Sequence, residues 1–458
     1  MTLPRTLLAL SALALAQPAL AAAGDAAQAR DILGKGVAFA TVKGRGVVPA
    51  YADYLKSVLV AGGFAPGDVT IEKVGETATL HAVWKGSGKA RPIAFTGHMD
   101  VVEADPKDWV RNPFTMVEDG GMLFGRGILD NKFDISMLVA ALVRLKAEGF
   151  KPNRDLHLFL SGDEETDGAT AAIQAKQAKA AGVEFMLNTD AGGGALDDAG
   201  KPRGYFVDAA EKTYADYQAV VTDPGGHSSA PGATNAIAIL SRAIARLDAY
   251  KFPAEINDIT RASLAYEGRL RGDALGQAMA AFAADPADAA ATAVIRADRA
   301  TVGQIGTTCV PTMLTAGHAP NALPQRAAVT INCRIFPGTT IESVRARLAD
   351  VVADPAVKVT TLFEWTSAPA SPLRPDVMGA VGKVVGKRFA GLKPVPSMAA
   401  GATDGVFYRA IGIPSYGVGG VFMRPGDNFA HGLNERVPVA AIAPAVAHWH
   451  GLISALAR

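Results

Sequence analysis

The chain has few charged residues for its length and no concentration of either sign. Asp, Glu, Lys and Arg make up 19% of its 458 residues, the formal net charge is +1, and Lys and Arg are scattered along the chain. A nucleic-acid-binding surface usually needs a basic stripe with interleaved aromatic residues, so the sequence argues against a nucleic-acid partner. Because 49% of the residues are apolar, the chain can fill the cores of two domains. A small molecule or a peptide is the expected partner.

Long apolar runs are also scarce, and the first of them marks the N-terminus. Residues 1–23 contain Arg5, a largely apolar stretch from Leu7 to Ala16, and the small-x-small pattern Ala19-Leu20-Ala21. This stretch is too short to cross a bilayer core of roughly 30 Å, so it predicts a cleaved secretory signal peptide, with an uncleaved anchor as the alternative. No later segment is predicted to span a membrane. We therefore expect a periplasmic or secreted protein without a stable membrane anchor.

Cysteine is nearly absent, and the two that occur, Cys309 and Cys333, lie in similar surroundings. They occupy the strand-like runs TTCVPTMLTA and AAVTINCRIF, which are separated by the turn-rich GHAPNALPQR. If these runs pair as a hairpin centred near Asn321, the two thiols lie at about equal distances from the turn. An oxidising compartment would then permit a disulfide bond, which would stabilise the fold by roughly 3 kcal/mol. Two buried free thiols are the alternative.

The order of apolar runs predicts one domain interrupted by another. In residues 24–212, short and nearly continuous apolar strands alternate with helical stretches, which is typical of an α/β domain whose mostly parallel sheet is covered by helices on both faces. Residues 213–368 change to a strand, helix, strand, strand, helix, strand order, which predicts a small α+β module. Helix-like and apolar segments resume in residues 369–458. We therefore expect an α/β domain, formed by 24–212 and 369–458, with an inserted α+β domain.

Ionisable side chains stand where the predicted strands of the α/β domain end. In an α/β sheet, ligands bind outside the carboxyl ends of the strands, so these side chains are expected to converge on one crevice. The strands IAFTGHMD, LHLFLSGDEE and FMLNTD deliver His98 and Asp100, Glu164 and Glu165, and Asp190. Two further candidates lie in loops: Asp130 in FGRGILDNK and His431 in NFAHGLNE.

This mixture of imidazole and carboxylate groups is suited to a pair of divalent metal ions, and it favours zinc. A two-metal site activates water and stabilises a developing oxyanion, so hydrolysis is the natural reaction. The sequence contains neither H-E-x-x-H nor G-x-S-x-G, which would indicate other hydrolase classes. A single Asp or Glu in a loop is usually a helix cap or a solvated charge, so the inference depends on the whole set.

Six motifs in order extend this inference to a family. GHMDVV, WVRNPF, GRGILDNK, SGDEE, GGHSSAP and NFAHGLNE resemble the exopeptidase family that includes aminoacylase, succinyl-diaminopimelate desuccinylase and glutamate carboxypeptidase. The resemblance runs over nearly the whole chain after the predicted signal peptide. It implies a catalytic zinc domain with an inserted lid or dimerisation domain, and hence a possible homodimer through the inserted domain.

The resemblance also implies roles for the residues at the strand ends. His98 and Asp190 would bind one zinc ion, Glu165 and His431 would bind the other, and Asp130 would bridge the two. Other divalent metals, such as Co²⁺ or Mn²⁺, would suit the same ligands.

Two more residues of the catalytic domain receive roles from the resemblance. Glu164 would be the general base. Asp100, two residues after a ligand, would orient the imidazole of His98. Because adjacent side chains in extended backbone point to opposite sides, Glu164 and Glu165 need not share a role.

The inserted domain and the segment after it would contribute substrate contacts. His227 would help to bind the carbonyl oxygen of the scissile bond when the lid closes, whereas a locally hydrogen-bonded loop histidine is the alternative. Asn321 and Arg334 match substrate-contacting positions, and Arg334 could hold a carboxylate through two hydrogen bonds, unless it is a solvent-facing strand residue. Gly401 and Asp404, in GATDGVF, are weaker candidates.

The chain also departs from the family pattern. Phe133 follows Asp130 at a position where glycine is common, so it could reshape the wall beside the metals. Residues 252–300 make the inserted domain longer than the family's minimal version.

The expected function is therefore that of an exported di-zinc carboxypeptidase or dipeptidase acting on small peptides. An N-acyl-amino-acid amidohydrolase with the same site is the alternative, and a binding protein that has lost its chemistry is a remote one.

Overall fold

The computed structural model describes residues 24–363, 366–399 and 401–458. The predicted signal peptide, residues 1–23, lies outside these described residues. The described chain forms two compact units. The first unit comprises residues 24–208, Pro372–Val395 and Thr403–Arg458, and the second comprises Ala209–Ser371 and Pro396–Ala402. The sequence prediction put the corresponding boundaries after residues 212 and 368.

The helices and strands are numbered here in chain order. The helices are α1 (24–38), α2 (Val48–Ala61), α3 (Lys132–Ala147), α4 (Ala169–Ala180), α5 (Ala236–Ala249), α6 (Asp258–Leu270), α7 (Ala274–Ala284), α8 (Ala289–Ala297), α9 (Ile341–Val352), α10 (Pro375–Arg388), α11 (Gly405–Ala410) and α12 (Ile442–Leu456). The strands are β1 (Val69–Val74), β2 (Thr77–Trp84), β3 (Ile93–His98), β4 (Val117–Asp119), β5 (Met122–Phe124), β6 (Leu156–Ser161), β7 (Met186–Asn188), β8 (Gly193–Leu196), β9 (Pro202–Glu211), β10 (Thr213–Thr222), β11 (Gly226–His227), β12 (Thr308–Ala316), β13 (Ala322–Leu323), β14 (Arg326–Ile335), β15 (Val357–Thr361), β16 (Pro394–Ala399), β17 (Ser415–Gly417), β18 (Phe422–Met423) and β19 (Arg436–Pro438).

The main sheet of the first unit has a parallel middle, antiparallel pairs on either side of it, and a parallel pair, β8-β18, at one edge. Its order is β1-β2-β6-β3-β7-β17-β9-β8-β18, and the four strands β6, β3, β7 and β17 run parallel to their neighbours in this group. Every residue of β3 and β6 is buried, because helices cover both faces of a parallel sheet. This confirms the predicted α/β fold with a mostly parallel sheet. The antiparallel pairs β1-β2 and β8-β9 were not predicted.

Helix α12 corrects one sequence prediction. Among the described residues, Val439–Leu456 is long and apolar enough to cross a membrane by length and composition, although no later segment was predicted to be so. More than half of this stretch is buried inside the protein. Helix α12 packs against α3 and α10, and the indole of Trp449 donates a hydrogen bond of 2.7 Å to Asp134 of α3. Its apolar composition is that of a core helix.

The second unit contains the predicted strand and helix order. Strands β12, β14, β10 and β15 form an antiparallel sheet in that order. Helices α5 and α9 bury Leu240 and Leu348 in the same core as Tyr217 and Ile331 of the sheet. The apolar faces of these two amphipathic helices therefore cover one face of the sheet.

Cys309 of β12 and Cys333 of β14 are directly opposite one another and form a disulfide bond. The bond closes the hairpin that contains the turn near Asn321.

The additional length of the inserted module forms a small helical subdomain. Helices α6, α7 and α8 pack around their own core, which includes Leu264, Phe282 and Ile295. A capping box fixes the N-terminus of α6. The side chain of Asn257 accepts a hydrogen bond from the backbone amide of Thr260, and the side chain of Thr260 accepts one from the backbone amide of Asn257. This subdomain accounts for the extra length that the sequence showed in residues 252–300.

A pair of histidines on β2 and β6 is expected to make the fold sensitive to acid. His81 Nε2 and His157 Nδ1 lie 2.9 Å apart, and both rings stack on Phe159. Burial, followed by the neighbouring His157, lowers the pKa of His81 to about 4. Because the folded pKa is below the unfolded value of roughly 6.5, the neutral pair stabilises the fold above that pH, and this stabilisation is lost as pH falls from 6.5 towards 4.

We therefore expect the melting temperature to fall between pH 7 and pH 4.5, and the variant His81→Phe to show a smaller fall. Calorimetric scans of both proteins across this range test the expectation. An equal fall in the two proteins would assign the acid sensitivity to other groups.

Candidate metal centre

Three neighbouring parallel strands bring their carboxyl ends to one edge of the first unit. His98 is the last residue of β3, Glu164 and Glu165 follow β6, and Asp190 follows β7. Since β6, β3 and β7 are adjacent and parallel, their final residues share the edge at which α/β proteins bind ligands. Asp130 comes from the loop before α3, and His431 from the loop before β19.

The carboxylate of Asp130 lies between two imidazole rings. Its Oδ1 is 2.9 Å from Nε2 of His98, and its Oδ2 is 3.1 Å from Nε2 of His431. A carboxylate with one oxygen directed to each of two nitrogen ligands is the arrangement expected of a bridge between two metal ions.

Each of the remaining predicted ligands lies beside a different one of these imidazole rings. Asp190 Oδ1 is 3.5 Å from His98 Nε2, and Glu165 Oε1 is 2.9 Å from His431 Nε2. The structure therefore brings all five predicted ligands together, and their closest contacts follow the two pairs that the family resemblance implies.

The two adjacent glutamates have different neighbours. The ligand atom of Glu165 lies within 4.8 Å of those of His98 and Asp130, whereas that of Glu164 lies within 4.8 Å of those of His98 and Asp190. Glu165 also contacts His431. The backbone thus turns the two carboxylates to different sides of the cluster.

Asp100 holds both the imidazole of His98 and the turn that follows β6. Nδ1 of His98 is 3.1 Å from the main-chain carbonyl oxygen of Asp100 and 3.6 Å from its Oδ1. The two carboxylate oxygens of Asp100 accept hydrogen bonds from the backbone amides of Glu164 and Glu165, at 3.1 and 3.0 Å. Asp100 therefore connects the orientation of one ligand ring to the position of both glutamates.

The charges of the cluster are strongly interdependent. Burial, reinforced by neighbouring carboxylates, raises the pKa of Asp190 to about 7. Hydrogen bonds from His431 and His98 outweigh burial and hold the pKa of Asp130 well below its usual range. Hydrogen bonds to Asp130 and Glu165 raise the pKa of His431 to about 10. The excess of buried negative charge suits cations, and binding of a divalent ion would displace the protons on these groups.

Glu164 lies in an environment that disfavours its charged form. Burial is the main cause that raises its pKa well above the ordinary value, and the charges of Asp190, Asp404 and Glu165 add to it while His98 opposes them. A carboxylate with a raised pKa is a better match for proton transfer at neutral pH than an ordinary one.

Asp404 lies buried behind the cluster. It accepts a hydrogen bond from the hydroxyl of Ser161, the last residue of β6, and burial raises its pKa to about 8. Phe133, the departure noted in the sequence, is fully buried in α3.

The predicted substrate contacts belong to the second unit. Strands β11 and β13 pair His227 with Ala322, and the amide of Ser228 donates to the carbonyl oxygen of Asn321, so His227 and Asn321 are close neighbours. Nδ1 of the exposed His227 accepts hydrogen bonds from the amide and hydroxyl of Ser229.

The other two predicted contacts of this unit lie elsewhere in it. Arg334 lies on β14 with its guanidinium 4.6 Å from the ring centre of Tyr214. Gly401 is exposed.

Glu435 is a functional candidate that the sequence prediction missed. Its side chain is fully buried, and its oxygens accept hydrogen bonds from the backbone amides of Gly127, Leu129 and Asp130, at 2.8 to 3.0 Å. Its Oε2 also pairs with Arg126 at 2.7 Å, and Arg126 donates to the carbonyl oxygen of His431. Glu435 thus fixes the loop that carries Asp130 and connects it to the loop that carries His431.

The variant Glu435→Gln should weaken metal binding. Removal of the charge leaves the buried Arg126 without its negatively charged partner, and it weakens the hydrogen bonds that hold the Asp130 loop. We therefore expect metal affinity to fall about 10- to 100-fold. Competition with a chromogenic chelator measures this. Glu184→Gln is the matched control, because Glu184 likewise forms ion pairs with arginine, in its case Arg154 and Arg374, but lies away from the cluster. Equal affinities in the two variants would contradict the positioning role of Glu435.

Comparison with known proteins assigns the chain to a family. The model of the family described as "Peptidase family M20/M25/M40" matches residues 94–455. The mouse protein "N-fatty-acyl-amino acid synthase/hydrolase PM20D1" is 28% identical over 383 residues, which cover 80% of this chain and 75% of that protein. A carboxypeptidase S-like protein from Dictyostelium discoideum is 25% identical over 386 residues, which cover 81% of this chain and 73% of that protein.

Among solved structures, the M20 family metallo-carboxypeptidase Sso-CP2 from Sulfolobus solfataricus has the same fold. The two structures superpose with a TM-score of 0.69 and 18% sequence identity, over 94% of this chain and 99% of the other.

Proposed function

Since the chain belongs to peptidase family M20/M25/M40 and is a metal-dependent hydrolase, we propose that it cleaves the amide bond that joins an acyl group to an amino acid. The observation that carries this proposal is the position of Asp130 between His98 and His431, with Glu164 beside the same cluster.

The donor set fits two metal ions. Its nitrogen and carboxylate ligands are those that zinc prefers, although Co²⁺ and Mn²⁺ suit the same groups. Two bound ions would acidify a water molecule and polarise the amide carbonyl. Asp130 would hold the two ions in common, while His98 with Asp190 and His431 with Glu165 would complete the two sets of ligands.

The protein's own residues would carry the proton. Glu164 would accept a proton from the attacking water and later donate it to the nitrogen of the departing amino acid. Asp100 would keep Glu164 in place through the backbone bond described above. His227 and Arg334 are proposed to bind the carbonyl oxygen and the substrate carboxylate, as the sequence resemblance implies.

The names of several relatives support N-acyl amino acids, rather than peptides, as the proposed substrates. The mouse relative is named as an N-fatty-acyl-amino acid synthase/hydrolase, which corresponds to the amidohydrolase alternative from the sequence. The name of the Dictyostelium relative supports a second candidate, a carboxypeptidase acting on small peptides. Both reactions release an amino acid from an amide bond, so the same site serves either.

A hydrolysis screen distinguishes these candidates. The zinc-loaded protein would be incubated with N-acetyl and N-octanoyl amino acids and with dipeptides, and the free amino acid released would be quantified. We expect larger kcat/KM values for the N-acyl amino acids. A preference for dipeptides would establish the carboxypeptidase, and a protein that releases no amino acid from any substrate would be a binding protein on this scaffold.

Export is proposed from two features. Residues 1–23 have the pattern of a signal peptide, and a disulfide between Cys309 and Cys333 is compatible with an oxidising compartment. N-terminal sequencing of the mature protein from the cell envelope or medium tests this. A mature chain that begins between Ala21 and Gly24 supports export, and an intact N-terminus in the cytoplasm contradicts it.

A homodimer through the second unit is proposed from an exposed edge strand. Strand β12 lies at the edge of its sheet, and Val310, Met313 and Leu314 are 54 to 66% exposed. An exposed apolar edge strand is a ready surface for pairing with another chain. We expect light scattering to give the mass of a dimer for the wild type and of a monomer for Leu314→Lys. A monomeric wild type at micromolar concentration would contradict the proposal.

A further inference from the structure

A cavity of about 340 Å³ adjoins the candidate metal centre within the first unit. Asp130 and Asp190, two of the proposed ligands, form part of its wall. The volume lies within the range of small-molecule pockets. A substrate held at the metal centre could therefore extend into this space.

Another part of the cavity wall is one face of the strands β18, β8 and β9. Met423 is the register partner of Ala195, and Phe206 is the register partner of Gly193. Because successive side chains of a strand point to opposite faces, these four residues share a face, and all of them line the cavity.

The alternate residues of the same strands confirm this assignment of faces. Phe422 and Tyr205 contact one another with tilted rings whose centres are 5.7 Å apart, and Phe422 also packs against Phe389, which follows α10. Their side chains therefore occupy the opposite face from Met423 and Phe206. Gly193 adds no side chain on the cavity face, so this part of the cavity remains open. Its φ of +117° is a conformation that other residues rarely adopt.

The polar groups around the cavity bond to the surrounding protein. Oδ1 of Asp134 accepts hydrogen bonds from the amide of Gly420 and the indole of Trp449. Thr189 donates to Asn131, and Asp208 accepts from the amide of Gly192. Because these polar groups already have hydrogen-bond partners in the protein, a ligand would bind mainly against the apolar side chains of the cavity.

We propose that this cavity binds the acyl chain of N-acyl amino acid substrates, so that the enzyme prefers acyl groups longer than acetyl. The inference rests on the proposed function, and it assigns the acyl side of the scissile bond to the face formed by Ala195, Phe206 and Met423. Each methylene transferred from water to this face would raise kcat/KM by up to roughly fourfold, which corresponds to about 0.8 kcal/mol.

The test compares N-octanoyl-glycine with N-acetyl-glycine, since glycine has no side chain of its own to influence binding. The zinc-loaded wild type should give an octanoyl to acetyl ratio of kcat/KM of at least about ten, a fraction of the gain available from six methylenes. Ala195→Trp fills the cavity and should bring this ratio close to one. Met423→Lys, which adds a charge to the same wall, is the second variant in case the first does not fold.

Ala443→Trp is the matched control. Ala443 is an exposed residue of α12 that does not line the cavity, so the same enlargement there should leave the ratio at the wild-type value. Calorimetric titration of each protein with N-octanoyl-glycine and N-acetyl-glycine measures the same preference as a ratio of Kd values, without any need for turnover.

The outcomes separate the two proposals. Hydrolysis of N-acetyl-glycine with no octanoyl preference, or a preference that survives in both cavity variants, overturns the acyl-chain site and leaves the hydrolase intact. Absence of hydrolysis together with an octanoyl binding preference that Ala195→Trp removes supports the site and overturns the proposed function. Absence of both hydrolysis and preferential binding overturns both.

Discussion

Replacement of Glu164 by glutamine is expected to lower kcat at least about a hundredfold, the lower end of what general acid–base catalysis contributes. Glutamine has nearly the same shape as glutamate but cannot accept the proton of the attacking water. The surroundings of Glu164 support this role, because burial raises its pKa and Asp100 holds its backbone amide. Steady-state hydrolysis of the substrate identified by the screen measures the effect.

Metal content gives the control for this variant. If Glu164 is the base, Glu164→Gln should retain as much metal as the wild type. Glu165→Gln should lose metal, because it removes the negative charge of the proposed ligand beside His431. Wild-type turnover in Glu164→Gln would contradict the assignment. Loss of metal from that variant would show that Glu164 is itself a ligand.

The second large effect is expected from Asp130→Asn. The substitution removes the negative charge that lies between His98 and His431. Both metal ions would therefore lose the carboxylate that they are proposed to share. We expect at most one weakly held metal ion and a fall in kcat/KM of about a thousandfold or more, since metal-ion catalysis contributes several kcal/mol. Metal analysis after dialysis and hydrolysis assays together measure this.

Asp167→Asn is the matched control for Asp130→Asn. Asp167 follows the same strand as Glu164, is largely exposed, and pairs only at the surface with Lys43. A surface pair of this kind contributes little to stability, so metal content and activity should match the wild type. If Asp130→Asn binds metal and turns over substrate like this control, Asp130 is not the bridge.

The central site could be predicted because it lies at the ends of continuous apolar strands. The sequences of β3 and β6 are apolar enough to be recognised as buried strands, and in such a sheet the residues that follow neighbouring strands meet at one edge. His98 and Asp190 are therefore placed by local pattern alone. The pairing of His431 with Glu165, which are 266 residues apart, depended on the family resemblance.

Glu435 could not be predicted from local pattern. It lies four residues after His431 in a polar loop, where an acidic residue is usually solvated. Its burial depends on Arg126, which is 309 residues away, and on three backbone amides of the Asp130 loop. The signal available in the sequence was its place at the end of the NFAHGLNE motif.

The cavity was missed, and the apolar length of the C-terminal helix was misjudged, because both depend on contacts that local pattern does not show. The wall formed by Ala195 and Met423 comes from strands of four and two residues, which are too short for an alternating pattern to be recognised. Val439–Leu456 has the length and composition of a membrane span, and its burial and its contacts with α3 and α10 show that it belongs to a core.

The most direct test of the central claim is the position of bound metal in crystals of the zinc-loaded protein, determined by anomalous diffraction at the zinc edge. We expect two peaks on either side of the Asp130 carboxylate, one beside His98 and Asp190 and the other beside Glu165 and His431. A single peak, or peaks only at other residues, would contradict a two-metal centre built from these five side chains.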